Sequence, residues 1–223
     1  MIRILVGTLG YVALFAAFLL LPAPSPIPWR AWLLLGVLLA VRVAGNFAVY
    51  RTHPALLRER EGLPIQHGQP LIDRVLLSAF MASFGLLVSL ASIDGLRLHL
   101  LGMVPSEIAM GGMALFIAGW LFVAYALTSN RFALLVVRAQ DDQAVVTTGP
   151  YRLVRHPMYL GVVSVMVGMC LWLQSVLALV CTAIPTALLV ARIVFEERFM
   201  LGRTPDYSSY CARVPYRLVP FVW

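Results

Sequence analysis

The chain has 223 residues, of which 61% are hydrophobic and only 12% are charged, and its mean hydropathy is +0.88. Soluble domains are nearer to ~45–50% apolar and ~25% charged, so the composition excludes a soluble globular protein and a disordered chain. The net charge is +7 and all 17 basic residues are arginine, but no basic face is interleaved with exposed aromatic residues. We therefore expect a single integral membrane domain over residues 1–223 and no nucleic-acid partner.

Four apolar runs in the first 128 residues have about the 20 residues that cross a ~30 Å bilayer core as a helix. They are Ile4–Leu21, Ala31–Tyr50, Val75–Ile93 and Ile108–Leu127. The first run has 18 residues, more than the ~7–15 of a signal peptide core, so we expect a retained anchor. Arg42 and Asn46 interrupt the second run one turn apart on one face. An arginine at that depth is typical either of a functional site or of a side chain that extends to the interface.

The last apolar region is too long for one crossing at 1.5 Å per residue. The polar pair Gln174 and Ser175 predicts a tight turn between two helices, Pro157–Leu173 and Val176–Phe195. Pro185 predicts a kink in the second of these helices. The sequence therefore predicts an all-α integral membrane protein with about six transmembrane helices, the last two forming a helical hairpin.

Arginine is distributed unevenly between the two sides of these helices. Four arginines lie in each of three segments on one side, whereas the other side holds only Arg30 and Arg97. Because basic residues concentrate in cytoplasmic loops, we expect both termini to be cytoplasmic, together with the polar loops Arg51–Arg74 and Ser129–His156. The three cysteines and four histidines lack the spacing of metal ligands, so no metal site is expected.

The segment Val145–Gly161, VVTTGPYRLVRHPMYLG, contains a set of residues that could carry chemistry. Gly149 begins a Gly-Pro break in the chain, and Pro157 suits the first turn of the fifth helix. His156 then falls near the N-cap of that helix, with Tyr159 in its first turn. The positive end of the helix favours an anionic group at this place.

A second set of polar residues, ARIVFEER, ends the sixth predicted helix. Arg192 and Glu196 are four residues apart and can pair along the helix, which accounts for one acid. Glu197 faces a different side of the helix, so the pairing does not account for both. Two carboxylates at a membrane boundary suit a site that holds a cation or an ammonium group.

The ordered combination GPYxxxRHPxYxG, an apolar hairpin, RxxxEE and a basic aromatic tail resembles the isoprenylcysteine carboxyl methyltransferase-like membrane methyltransferases, a group that includes phospholipid methyltransferases. The resemblance covers about Gln143–Trp223. It implies a helical enzyme that binds S-adenosylmethionine between the loop before the hairpin and the ends of the two hairpin helices. It implies cofactor-binding positions at Gln143, Gly149, Tyr151, His156, Pro157, Tyr159 and Glu197. It implies catalytic positions at Arg192 and Glu196.

The residue types agree with those roles. The cofactor's ammonium group needs a carboxylate, which Glu197 or Glu196 could supply, and its adenine could lie against Tyr151 and Tyr159. Arg192 could bind the carboxylate of either the cofactor or the acceptor. We expect methyl transfer at the cytoplasmic boundary to an amphiphilic, lipid-like or small-molecule acceptor that carries a carboxylate, amine or thiol. Residues 1–128 would form the acceptor side, and residues 129–223 the cofactor loop, hairpin and cytoplasmic tail.

Two other functions are compatible with parts of the sequence. The tail YSSYCARVPYRLVPFVW is similar to the C-terminus of membrane sterol reductases, which would imply NADPH and reduction of a carbon–carbon double bond. The GPY turn and the Glu196–Glu197 pair favour the methyltransferase instead. A non-enzymatic transporter or assembly factor is the third possibility, but transporters place their polar residues near the bilayer midplane, and here they gather at one boundary.

Overall fold

The computed structural model describes residues 2–60, 66–138, 144–204 and 206–223, and the side chains from residue 4 onward. Within these ranges the chain is helical and forms no strand; Met103 and Ser175 make an isolated bridge. The predicted all-α class is confirmed. The helices are α1 Ile2–Leu20, α2 Trp29–Thr52, α3 Pro54–Arg60, α4 Leu71–Ile93, α5 Ser106–Ser129, α6 Pro157–Trp172, α7 Val176–Cys181, α8 Ala183–Leu201 and α9 Tyr207–Arg213.

Four helical stretches in the described ranges are long and apolar enough to cross a membrane. They are Trp29–Thr52, Leu71–Leu98, Ser106–Ser129 and Val176–Leu201. The apolar part of α1, Ile4–Leu20, and the 16 residues of α6 are shorter, and 16 residues extend only about 24 Å at 1.5 Å per residue. The structure therefore supports a membrane protein with several apolar helices, while the predicted count of six crossings is not confirmed. Large apolar side chains such as Leu86 and Leu121 are exposed on the outer surface, as contact with lipid requires.

The long helices form a ring in which successive neighbours are α6, α5, α2, α1, α4 and α8. The predicted turn between the hairpin helices is confirmed, since Gln174 has a left-handed φ of 64° and Ser175 caps α7 by accepting a hydrogen bond from the Ala178 amide. The two long helices of the hairpin do not pack chiefly on each other, however. α6 lies along α5, and α8 lies along α4. The ring is therefore closed between α6 and α8 by side chains.

The last apolar segment is divided into α7 and α8 at Thr182, three residues before Pro185. The kink predicted at Pro185 is therefore present but lies one turn earlier. Proline has no amide hydrogen to donate to the carbonyl four residues before it, which here belongs to Cys181, and its ring clashes with that carbonyl. The distortion consequently falls on the turn that precedes the proline.

Glycines allow α5 and α6 to approach closely. A Cβ atom at Gly112 would lie 2.5 Å from the Leu171 Cβ, and one at Gly168 would lie 2.5 Å from the Phe116 amide nitrogen. Two turns further along α5, a Cβ at Gly119 would lie 2.8 Å from the carbonyl oxygen of Gly161 on α6. Small residues at such positions let helix backbones touch within a membrane. This contact fixes the start of α6 beside the end of α5, where the polar residues gather.

The adjacent glycines Gly111 and Gly112 allow a matched test of this contact. We expect Gly112→Ala to lower stability by about 1–3 kcal/mol, as overpacking does, and so to lower the melting temperature by roughly 2–4 °C per kcal/mol. Gly111 has open space at its Cβ position, so Gly111→Ala should be neutral or slightly stabilising. Thermal unfolding of the detergent-purified variants measures both. Equal melting temperatures for the two variants would contradict the close contact.

Candidate active site

A cavity opens at the end of the ring where α5 ends and α6 begins. It has a volume of about 820 Å³, including its opening to solvent. Its walls come from the segment 130–138, residues 144–146, the turn before α6, the first turn of α6, the end of α8, and α9. Most of these wall residues are apolar or aromatic, with a few polar groups, which is the usual make-up of a small-molecule site.

The segment 130–138 is held in place by a buried carboxylate on α4. Asp73 is fully buried, and its Oδ2 accepts hydrogen bonds from the Val137 amide at 3.0 Å and from Gln69 Nε2 at 2.7 Å. Its other oxygen, Oδ1, accepts from Arg192 Nε at 2.8 Å. A buried carboxylate with three donors is well satisfied, so it can fix this wall of the cavity.

The GPY turn forms a second wall. Gly149 has a φ of +57°, and a Cβ there would lie 2.5 Å from the Ser129 hydroxyl, so the position requires glycine. Gly149 is outside the cavity, whereas the Tyr151 side chain lines it. The Tyr151 carbonyl accepts a hydrogen bond from the Tyr210 hydroxyl at 2.8 Å, which ties the turn to α9.

The first turn of α6 is arranged as the sequence predicts. His156 is the N-cap residue and Pro157 is at the start of the helix. Both line the cavity, as does Tyr159, and the rings of His156 and Tyr159 stack in parallel with centroids 5.5 Å apart. Because the tyrosine hydroxyl points to α8, this stack links the cavity wall to the acidic pair.

The two adjacent acids of α8 have different environments. Glu196 lines the cavity and is half-buried, and its Oε2 accepts a hydrogen bond from the Tyr159 hydroxyl at 2.8 Å. Its Oε2 also lies 4.0 Å from Nδ1 of His156. Among the described residues that line the cavity, Glu196 is the single carboxylate, so it can accept a cationic group from a ligand.

Glu197 points away from the cavity into a cluster of cationic side chains. Its Oε1 is 2.8 Å from Arg155 Nε and 3.2 Å from His156 Nε2, and its Oε2 accepts from Arg217 Nε at 2.8 Å. The Glu197 and Arg155 side chains are buried and Arg217 is partly exposed. The carboxylate therefore joins α8 to the start of α6 and to the C-terminal tail.

Backbone hydrogen bonds strengthen this junction. The amides of Arg155 and His156 donate to the carbonyls of Tyr216 and Arg217 at 3.0 and 2.8 Å. The side chains of Arg155 and Arg217 both contact Glu197 at the same place. The tail thus folds back under the turn that precedes α6.

Arg192 also lies outside the cavity lining. It is buried, pairs with Asp73, donates from Nη2 to the Leu135 carbonyl and has its guanidinium carbon 5.8 Å from the Tyr159 ring centroid. The i to i+4 pair of Arg192 with Glu196 expected from the sequence is replaced by the pair with Asp73. Arg192 consequently supports the cavity wall from behind.

Of the four tyrosines that line the cavity, Tyr151, Tyr207 and Tyr210 have pKa values raised by burial. Burial raises the pKa of Tyr151 to about 12, against the opposing effect of its hydrogen bond with Asn130. Burial likewise raises the pKa of Tyr207, with the charge of Glu197 as the next cause, and the pKa of Tyr210. At neutral pH these hydroxyl groups therefore retain their protons and can donate hydrogen bonds.

Five of the nine site residues expected from the sequence line the cavity: Tyr151, His156, Pro157, Tyr159 and Glu196. Gly149, Arg192 and Glu197 lie outside the lining and support it. Gln143 lies outside the described residues. Sequence reasoning missed Asp73, Asn130, Tyr207 and Tyr210 as parts of the site. An acid at the start of an apolar helix is a signal that could have indicated Asp73, because a buried acid requires partners.

Comparison with known proteins agrees with this geometry. Residues 107–203 match the phospholipid methyltransferase family. The chain is also similar to the cobalt-zinc-cadmium resistance protein CzcN of Cupriavidus metallidurans, at 28% identity over 44% of this chain and 45% of that protein. It is 29% identical to the nickel-cobalt-cadmium resistance protein NccN of Alcaligenes xylosoxydans xylosoxydans, over 46% of this chain and 48% of that protein. The matches thus span a little under half the length of these two curated relatives.

The fold is shared with a solved membrane enzyme. The structure of the eukaryotic intramembrane Ras methyltransferase ICMT, isoprenylcysteine carboxyl methyltransferase, superposes over 96% of this chain and 74% of that protein, with a TM-score of 0.56 and 19% identity. The family match lies over the second half of the chain, from α5 to the end of α8, and favours the methyltransferase over the reductase. Residues 107–203 therefore carry the similarity to the phospholipid methyltransferase family, and the chain as a whole has the fold of isoprenylcysteine carboxyl methyltransferase.

Proposed function

We propose that this protein transfers a methyl group from S-adenosylmethionine to an amphiphilic acceptor at the membrane boundary. The observation that carries the proposal is the position of the Glu196 carboxylate of α8. It lies on the wall of a tyrosine-lined cavity that is located at the start of α6. The family match and the shared fold support the reaction class. The cofactor would bring the reactive methyl group, and the protein would supply binding, orientation and charge.

The cavity residues suit the chemical groups of that cofactor. Glu196 would bind its ammonium group, since it has one hydrogen-bond partner from the protein and is half-buried. Tyr151 and Tyr159 offer aromatic faces for adenine, and neighbouring valines and Met158 complete an apolar slot. Asn130 and the protonated Tyr151 and Tyr207 provide donors for the carboxylate and the ribose hydroxyl groups.

The residues behind the cavity would act by positioning. Glu197 holds the tail and the start of α6 together, and Arg192 holds the segment 130–138 through Asp73. Neither side chain lines the cavity. We therefore assign cofactor contact to Glu196, His156 and Tyr159, and assign Glu197 and Arg192 to the support of that wall.

The acceptor would reach the cofactor from the lipid. An exposed apolar exterior and a membrane enzyme's fold favour a lipid-like molecule whose reactive group lies at the cavity end. A carboxylate needs no strong base, while an amine or thiol must lose a proton, for which His156 and Glu196 are the nearest bases. The arginines of α3 and of the loop before α6 lie at the cavity end, so this end would face the cytoplasm.

Glu196→Gln tests the cofactor site. We expect the affinity for S-adenosylhomocysteine to fall about 10-fold or more, because a hydrogen bond to a charged group contributes roughly 1.5–3 kcal/mol. Isothermal titration of the detergent-purified protein measures the affinity, with NADPH as a second ligand. The matched control is Glu107→Gln, an exposed acid at the first turn of α5, which should bind normally.

Two results would contradict the proposal. Unchanged S-adenosylhomocysteine affinity in Glu196→Gln would show that the carboxylate does not contact the cofactor. Saturable binding of NADPH, without binding of S-adenosylhomocysteine to the unmodified protein, would indicate a reductase.

Glu197→Gln tests the supporting role of the second acid. The substitution removes the negative charge that Arg155 and Arg217 share, and Arg155 is buried. Breaking a buried ion pair costs about 3–5 kcal/mol. We expect the tail to detach, so that trypsin cleaves after Arg213 much faster than in the unmodified protein, and the melting temperature to fall. Glu196→Gln is the control and should keep the tail protected. Equal tryptic protection of the two variants would exclude the supporting role.

A further inference from the structure

A second polar cluster lies between α1, α2 and α5, and none of its three side chains lines the cavity. The guanidinium of Arg42 on α2 is placed between two aromatic rings, with its carbon 4.5 Å from the Tyr11 ring centroid on α1 and 5.0 Å from the Trp120 ring centroid on α5. These two rings meet edge to face at 5.9 Å. Side chains of three helices, α1, α2 and α5, therefore surround one positive charge that is partly buried.

One guanidinium nitrogen of Arg42 and the indole nitrogen of Trp120 lack acceptors. Arg42 Nε and Trp120 Nε1 are both buried and have no hydrogen-bond partner among the described residues. Trp120 is only 9% exposed, and no acid in the described ranges forms an ion pair with Arg42. Arginine and indole nitrogens can only donate. The missing partner is therefore an acceptor, and the charge of Arg42 favours an anion.

Two other arginines show how a guanidinium is normally satisfied in this fold. Arg30 also lies between two aromatic rings, those of Trp29 and Trp172, but it donates to the Trp172 carbonyl at 3.1 Å. Arg192 is paired with Asp73. Contact with aromatic rings stabilises a guanidinium but supplies no hydrogen-bond acceptor for its nitrogens. Arg42 is thus incompletely compensated by the described part of the chain.

A second positive charge adds to the demand for an anion. Arg60, at the end of α3, donates to the Ala133 carbonyl at 2.6 Å and forms no ion pair with a described acid. Burial lowers the pKa of Arg60 to about 10, and the charge of Arg42 is the next largest cause. Neither Arg42 nor Arg60 thus has an acid among the described residues as an ion-pair partner.

A groove on the outer surface begins one helical turn from the cluster, since Thr8 and Asn46 line it and lie three and four residues from Tyr11 and Arg42. It lies between α1 and α2, is lined by Leu5, Val43 and Phe47 among others, and contains the hydrogen bond from Asn46 to Thr8. The exposed apolar side chains suit a hydrocarbon chain. Because Asn46 lies one turn from Arg42 on the same face of α2, a head group at the Asn46 end of the groove would be directed to the guanidinium.

The depth of Arg42 decides the kind of amphiphile. Arg42 is ten residues before Thr52, the end of α2, a distance of about 15 Å along the helix. The phosphate of a bilayer lipid stays at the headgroup level, beyond that end. A single-chain carboxylate can move to this depth, because its charge is neutralised by the guanidinium when it arrives.

We propose that Arg42, Trp120 and Tyr11 form a binding site for the carboxylate of a single-chain membrane amphiphile, whose alkyl chain lies in the groove between α1 and α2. The site is independent of the proposed methyl transfer. It is tested in the absence of S-adenosylmethionine.

The test compares oleate with oleyl alcohol, which has the same chain and no charge. The full-length protein in uncharged maltoside detergent is heated at pH 8 with increasing amounts of either compound. We expect oleate at about 100 times its dissociation constant to raise the melting temperature by roughly 5–10 °C, and oleyl alcohol to raise it little. Arg42→Gln should lose the oleate shift, while Arg30→Gln, the other arginine between two rings, should keep it.

Two further measurements separate binding from loss of folding. Without ligand, Arg42→Gln should melt no lower than the unmodified protein, because it removes an uncompensated charge. Trp120→Phe keeps an aromatic face but removes the indole donor, and should reduce the oleate shift. Both variants should bind S-adenosylhomocysteine with unchanged affinity.

Several results would overturn the proposal. They are equal shifts with oleate and oleyl alcohol, an oleate shift retained in Arg42→Gln, or a full shift in Trp120→Phe. An equal, Arg42-dependent shift with phosphatidylglycerol would overturn the single-chain class. If Arg42→Gln does not fold, a full oleate shift in Trp120→Phe still overturns the site.

Discussion

The carboxylate of Glu197 closes the ring of helices at the end where the cavity lies. The long helices of the hairpin diverge, α6 toward α5 and α8 toward α4, so backbone packing does not bring their ends together. Glu197 does so by accepting from Arg155, His156 and Arg217, which belong to the segment before α6 and to the tail. A charge cluster of this kind stabilises only when each member is paired and hydrogen-bonded. The cavity walls consequently depend on a residue that does not face the cavity.

Much of the fold could be predicted from hydropathy and from proline and glycine. The helical class, the turn at Gln174 and the first turn of α6 at Pro157 follow from the local sequence, and the structure has them. The number of crossings could not be fixed, because α1 and α6 are close to the minimum length for a bilayer. The close contact of α5 with α6 could not be predicted from the sequence either. A glycine such as Gly112 or Gly168 can have several structural roles, and its role in close packing is seen only when the facing helix is known.

The site divides in the same way between local and distant residues. His156, Tyr159 and Glu196 belong to two short motifs, and the helical periodicity of α6 and α8 presents them to one cavity. The pair of Arg192 with Asp73 joins residues 119 positions apart. Neither residue alone indicates its partner, and the nearer Glu196 was the natural expectation for Arg192. Burial decides the outcome, because Asp73 is fully enclosed and needs a cation, whereas Glu196 is partly solvated beside the cavity.

The exclusive use of arginine for positive charge suits these demands. A guanidinium is planar and weakly hydrated, so it can stack on aromatic rings and also donate several hydrogen bonds, which an ammonium group cannot do in the same way. The C-terminal half uses this capacity internally, with Arg155 and Arg192 held by acids that shape the cavity. In the N-terminal half Arg42 has aromatic faces but no described acid. An arginine that is paired with an acid of the protein can hold structural elements together, whereas an arginine without such a pair can bind an anionic ligand. Arg42 therefore differs from Arg155 and Arg192 in having no acid among the described residues, which is why a ligand role is proposed for Arg42 and a structural role for the other two.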